Sequence, residues 1–218
     1  MTEATLLISS KNYSSWSLRG FLLTKLSGLA FKEERVSPDD PRAREELLMR
    51  TSSILVPCLI HGDVSVWDTI AIAEYLNETF PEAGMLPTER HARARCRSIA
   101  GEMHSGFAAL RSSLPMNLRF RKPGFTVWSS AQTDIDHITA IWRDCLNSWK
   151  GPFLFGAKPT IADCMYAPVV TRFLSYDVNV GPQCQEYCDT ILYWAPMREW
   201  INDAKSEPQE IIELDLDF

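Results

Sequence analysis

No run of apolar residues in this chain approaches the length needed to cross a bilayer, and its start lacks a basic segment followed by a hydrophobic one. Both absences lead to the expectation of a cytoplasmic protein with no membrane partner. Excess positive charge is missing as well. The formal net charge is −6, which argues against nucleic acid as a partner. Of six cysteines only Cys184 and Cys188 lie close together, and no histidine stands near them, so no metal site is expected. In a reducing compartment these cysteines read as free, mostly buried thiols. A Gly-x-Ser-x-Gly elbow is absent, which speaks against a serine hydrolase. There are no internal repeats, no low-complexity segment, and beyond residue 87 no run that reads as a strand.

What is present is ordinary for a globular protein: 218 residues, 45% of them apolar and 23% charged, enough for one large domain or two small ones. The first third alternates in type. Residues 5–9 read as a strand and residues 17–26 as a helix stopped by Ser27-Gly28. Residues 31–36 alternate apolar and charged as a half-buried strand does, and residues 41–50 form a short amphipathic helix. Residues 55–60 and 64–67 make two strands joined by His61-Gly62-Asp63, a tight hairpin turn. Ile70, Ala73, Tyr75, Leu76 and Phe80 then give a helical stripe.

This βαβαββα order is the thioredoxin-like arrangement, an α/β unit over residues 1–81. Residues 82–88, rich in proline and glycine, read as a linker. Residues 89–218 are expected to be all-helical: one long helix over 90–114, others over 133–149 and 161–174, and a fourth over about 196–204. The acidic tail from 207 to 218 either docks or frays.

Four local patterns carry chemistry or folding information. Ser14-Ser15-Trp16-Ser17 sits between the first strand and helix, where unpaired N–H groups and the helix dipole favour an anion or a thiolate. Plain helix capping is the competing reading. Val56-Pro57 opens a strand, where a proline is tolerated at a first residue or bend; the sharper reading is a cis peptide that leaves the Val56 backbone free to pair with an extended peptide. Asp68-Thr69 stands at a helix start, where Asp68 reads as an N-cap or, alternatively, the pair suits an α-amino-acid end: Thr69 for the carboxylate, Asp68 for the ammonium. Thr160-Ile161-Ala162-Asp163 fits a capping box, a folding device.

In this order, Ser14-Ser15-Trp16-Ser17-Leu18-Arg19, Leu55-Val56-Pro57-Cys58 and Trp67-Asp68-Thr69-Ile70-Ala71 resemble the glutathione site of cytosolic glutathione transferases. The Thr160/Asp163 box resembles that family's C-domain folding motif. The serine spacing is most similar to the zeta class. The resemblance implies glutathione as co-substrate, a small electrophile as its partner, and a homodimer. It implies that the Val56 backbone pairs with the cysteinyl part of glutathione while Asp68 and Thr69 take its γ-glutamyl end. A serine hydroxyl would then face the sulfur, Ser14 first and Ser15 as a supporting contact or the alternative, with Ser17 left to cap the helix. The zeta pattern usually has a cysteine where this chain has Trp16, which puts that class's isomerisation of maleylacetoacetate in doubt.

A free thiol of pKa near 8.5 is only a few per cent ionised at pH 7. Lowering that value by roughly two requires about 2.7 kcal/mol of preference for the thiolate, which a hydroxyl donor at a helix start is of the order to supply. Arg97, His104 and Arg111 follow at heptad spacing, with Met103 and Phe107 beside them. Met103, His104, Phe107 and Arg111 are the candidate electrophile pocket, set against a solvated face for the polar residues and a core role for the apolar ones. The expected function is a glutathione transferase. The alternatives are a glutathione-dependent isomerase or peroxidase and a non-catalytic scaffold of the same fold. Thiol–disulfide exchange is disfavoured because serines, not a cysteine, head the first helix.

Overall fold

The computed structural model of the protein describes residues 3–37 and 40–208. The first third folds as β1 (Ala4–Ile8), α1 (Ser15–Ser27), β2 (Lys32–Arg35), α2 (Pro41–Thr51), β3 (Cys58–His61), β4 (Val64–Trp67) and α3 (Thr69–Thr79). The sheet order is β2-β1-β3-β4, with β1 parallel to β2 and antiparallel to β3. Because side chains alternate across a strand, β1 feeds two cores. Leu6 and Ile8 join the large cluster that includes α1 and α3, while Leu7 packs with Leu47 of α2 and Cys58. Helices therefore cover both faces, the thioredoxin-like arrangement. The β3–β4 hairpin closes through the two residues Gly62 and Asp63, with Gly62 at φ 65°.

Two boundaries differ from expectation in ways that bear on the site. Helix α1 starts at Ser15, and Ser14 is its N-cap: its Oγ accepts from the Ser17 N–H at 3.2 Å. Ser17, expected as the cap, is instead buried in the first turn, where its Oγ accepts from the Ser9 N–H at 3.0 Å. Strand β3 begins only at Cys58, so Val56 and Pro57 lie ahead of it.

After a short 3₁₀ turn at Pro81–Ala83, the remainder of the described chain is helical: α4 (Arg90–Ser105), α5 (Ala108–Ser113), α6 (Ser129–Trp149), α7 (Ile161–Ser175), α8 (Pro182–Tyr193) and α9 (Ala195–Lys205). The single helix expected over 90–114 is two. The turn at Gly106 and Phe107, the latter at φ 59°, separates α4 from α5, and a Cβ on Gly106 would stand 2.8 Å from the Glu102 carbonyl. Helix α8 was not expected. It carries Cys184 and Cys188 on its buried face. No helix among the described residues is long and apolar enough to cross a membrane.

Helix α7 is the hub of the helical part, buried from Ile161 to Phe173. Its start carries the expected capping box, in which the Asp163 carboxylate accepts from the Thr160 N–H at 2.7 Å and the Thr160 hydroxyl at 2.9 Å. The same carboxylate accepts from the Leu154 N–H and the Tyr187 hydroxyl, tying α8 and the preceding turn to α7. Cross-links join the two parts. Arg19 Nε donates to the Met165 carbonyl (2.8 Å), and the Ile161 N–H donates to the Met85 carbonyl (2.9 Å). Of the acidic tail, Glu207 docks: its buried carboxylate accepts from the Ser10 hydroxyl and from the Lys11 and Asn12 N–H groups. Residues 209–218 lie outside the described residues.

Candidate active site

The N-terminus of α1 faces the helical part, and its side chains are already organised. The Ser14 hydroxyl donates to Ser17 Oγ at 2.9 Å while accepting from the Ser17 N–H. Ser15, at the first helical position, accepts a hydrogen bond from a guanidinium nitrogen of Arg172 at 3.3 Å. Trp16 meets two more arginines, with Arg19 4.7 Å and Arg111 5.0 Å from its ring centre. Guanidinium groups stack readily on indole faces.

The region is electropositive because these arginines cluster there, Arg19 and Arg172 buried and Arg111 half-buried. Burial holds the Arg172 guanidinium down at about 10, with Arg111 adding to the effect, so it stays charged at neutral pH. Burial lowers Arg19 as well, reinforced by Arg111 and Arg172. Arg111 is lowered by burial and partly restored by Asp134. Arg172 was missed from the sequence. Its one signal there is a charge inside the apolar run Val169-Val170-Thr171-Arg172-Phe173.

The Val56–Pro57 peptide is cis, and neither the N–H nor the C=O of Val56 meets a partner among the described residues. Pro57 is pressed against α1 at Gly20, where an added Cβ would come within 2.6 Å of the proline ring. The proline ring thus anchors the segment that carries Val56 against the middle of the first half of α1. Asp68 caps α3, accepting from the Ile70 N–H at 2.8 Å, with its own backbone at φ 75°. A non-glycine residue held in that region is strained, and such residues cluster at ligand sites.

His104 joins the two helix starts. Its Nε2 is 3.2 Å from the Asp68 carboxylate, its Nδ1 is 3.4 Å from the Thr69 hydroxyl, and its ring meets Trp16 edge-on at 5.1 Å. Asp68, Thr69, His104, Trp16 and Arg111 therefore form one connected row from α3 to α1. Met103 and Phe107 are elsewhere: both are buried in the large core, Met103 1% exposed. Cys58 is fully buried and its thiol is pushed up to about 11 by burial, so it has no thiolate to offer near neutral pH.

This arrangement can hold an anion at the head of α1, an extended backbone at Val56 and a zwitterionic end at Asp68-Thr69. Two family models match the chain: the N-terminal domain of glutathione S-transferases over residues 13–79 and the C-terminal domain of the same family over residues 90–190. The chain belongs to the glutathione S-transferase family, and it is an enzyme of that family. A probable maleylacetoacetate isomerase of Caenorhabditis elegans is 25% identical over 77% of this chain and 78% of its own length. Glutathione S-transferase 1 of Dianthus caryophyllus is 29% identical over 80% of this chain and 71% of its own. Among solved structures, the maleylacetoacetate isomerase of Anaeromyxobacter dehalogenans 2CP-1, with bound GSH in the active site, is similar at a TM-score of 0.65 and 26% identity. That match covers 96% of this chain and 99% of the other.

Proposed function

We propose that this protein binds glutathione across the α1, Val56 and Asp68-Thr69 elements and uses a serine hydroxyl at the head of α1 to keep its sulfur ionised for attack on a small electrophile. The observation that carries the reading is the juxtaposition of three features along one path. These are a hydroxyl-bearing helix start in an electropositive surround, the unpaired Val56 backbone and the strained Asp68 cap. In this reading the cysteinyl backbone of the tripeptide pairs with Val56. Its γ-glutamyl carboxylate meets the Thr69 N–H and hydroxyl, and its ammonium meets Asp68.

The chemistry is spare. The thiol loses its proton to water, and the serine keeps its own proton and shares it with S⁻ as a hydrogen-bond donor. The thiolate then forms a bond to the electrophilic carbon, whose leaving group or π electrons carry the displaced pair away. His104 faces Asp68 and Thr69, so it belongs to the γ-glutamyl end of the site and not to an apolar pocket. A glutathione-dependent isomerisation would use the same thiolate, and the isomerases among the similar proteins favour it as the second reading. A homodimer and a cytoplasmic setting belong to the same proposal.

Calorimetric titration with glutathione tests the binding half. Micromolar-to-millimolar affinity is expected, weakened about tenfold in Asp68→Ala or Thr69→Val, the loss of one polar contact of about 1.4 kcal/mol. The serine variants should keep binding and lose turnover. Absence of heat with the wild-type protein would point to the scaffold alternative.

A further inference from the structure

Ser14 and Ser15 stand side by side, yet their hydroxyls are committed in opposite senses. The Ser14 proton points to Ser17 Oγ, and its oxygen is taken by the Ser17 N–H. Donating to a ligand would mean breaking the first of these bonds. Ser15 meets a donor instead. The guanidinium of Arg172 has no acceptor, so the hydrogen bond it makes fills a lone pair on Ser15 Oγ and directs the hydroxyl proton elsewhere. No acceptor among the described residues takes that proton.

Arg172 is itself held in place. Its side chain is buried, and its other terminal nitrogen donates to the Leu114 carbonyl at the end of α5. The charged or ionisable groups acting on it are Arg111 and the Tyr176 phenol, with no carboxylate among them. Arg19 is in the same condition: Arg111, Arg172 and the Tyr166 phenol act on it. Neither Arg19 nor Arg172 is paired with a carboxylate among the described residues.

We propose that Arg172 is a positioning residue that makes Ser15, not Ser14, the hydroxyl donor to the thiolate. Its hydrogen bond orients the Ser15 proton toward the ligand and polarises the O–H, so that the arginine acts on the sulfur through the hydroxyl. The thiol proton goes to water, Ser15 keeps its proton in a hydrogen bond to S⁻, and Arg172 stays protonated throughout. This inference rests on the reading of the site as a glutathione site and adds a residue from α7 to its machinery.

The test is a double-variant cycle read as the pKa of the bound glutathione thiol, followed by thiolate ultraviolet absorbance across pH. The proteins are wild type, Ser14→Ala, Ser15→Ala, Arg172→Gln and Ser15→Ala/Arg172→Gln, each checked for folding by thermal melting. Ser15→Ala should raise the thiol pKa toward its solution value, and Arg172→Gln should raise it by about one. Adding Arg172→Gln to Ser15→Ala should change it by less than about a third of that, because the arginine acts through the hydroxyl. If Arg172→Gln does not fold, Arg172→Lys keeps the charge and a donor for the Leu114 carbonyl but not the fixed fork, and an intermediate rise is expected.

An Arg172 effect of equal size with and without Ser15 overturns the inference. So does a thiol pKa that responds to Ser14→Ala and not to Ser15→Ala. In both cases glutathione is still bound and ionised, so the wider reading stands. A wild-type protein that binds no glutathione overturns both.

Discussion

Replacing Gly20 by alanine is the sharpest structural test, because two effects of known sign oppose each other there. In the interior of an ordinary helix, glycine-to-alanine gains about 0.5–1 kcal/mol from reduced chain entropy. Gly20 lies within α1, so that gain applies. An alanine Cβ at this position, however, would stand 2.6 Å from Pro57 Cβ and 2.7 Å from Pro57 Cγ. Carbon atoms rest at about 3.5–4.0 Å, so the overlap is close to 1 Å against a ring that cannot rotate away. Overpacking of this kind costs roughly 1–3 kcal/mol, leaving a net loss of about 1 kcal/mol at mid-range and at most about 2.5 kcal/mol. For a chain of this size the mid-range loss lowers the melting temperature by about 2–4 °C. Glutathione affinity should fall with it, since the displaced segment carries Val56. Differential scanning calorimetry with and without glutathione reads both effects. A Gly20→Ala protein that melts higher than wild type and binds glutathione equally well would refute the packing of Pro57 on α1.

Asp163→Ala leaves four donors without their acceptor in a buried place, and a loss of roughly 3–4 kcal/mol in urea unfolding is expected; a loss below about 1 kcal/mol would contradict the hub role of α7. Glu207→Ala frees the amides of Lys11 and Asn12, so their hydrogen exchange should accelerate at least tenfold while that of β1 is little changed. Burial pushes Cys58 and Cys145 up to about 11 and Cys96 and Cys188 up to about 12. The folded state thus holds these protons more tightly than the unfolded one. The resulting stability is complete below the unfolded thiol value near 8.5 and is lost as pH climbs toward 11. Native protein at pH 7.5 should therefore react with a disulfide reagent only at its unfolding rate, whereas fast labelling of any cysteine would show the burial to be wrong.

Much of this was legible in the chain, for reasons that differ by segment. The β3–β4 hairpin announced itself because Gly62-Asp63 has few alternatives to a tight turn, and the α7 box because threonine and aspartate three apart cap each other locally. The break between α4 and α5 was hidden. Met103, Phe107, Leu110 and Leu114 are all buried, so the three-to-four-residue spacing runs straight through a turn made by Gly106 and a left-handed Phe107. Helix α8 was hidden for another reason: it buries Cys184, Tyr187, Cys188 and Ile191, a face with one strongly apolar residue. At the site, three serines within four residues can each cap a helix, and only the fold shows that Ser14 does so while Ser17 turns inward toward Ser9. Arg172 lies 157 residues from the hydroxyl it touches, a meeting that no local pattern encodes.

The proposed activity depends on the state of one sulfur atom, and the ultraviolet absorbance of glutathione bound to the unaltered protein reads that state directly. Titrated across pH, the thiolate band should appear with a midpoint about two below the solution value near 8.5, so that most of the bound glutathione is ionised at pH 7. A midpoint at the solution value, with binding intact, would show that the start of α1 holds the tripeptide without activating it.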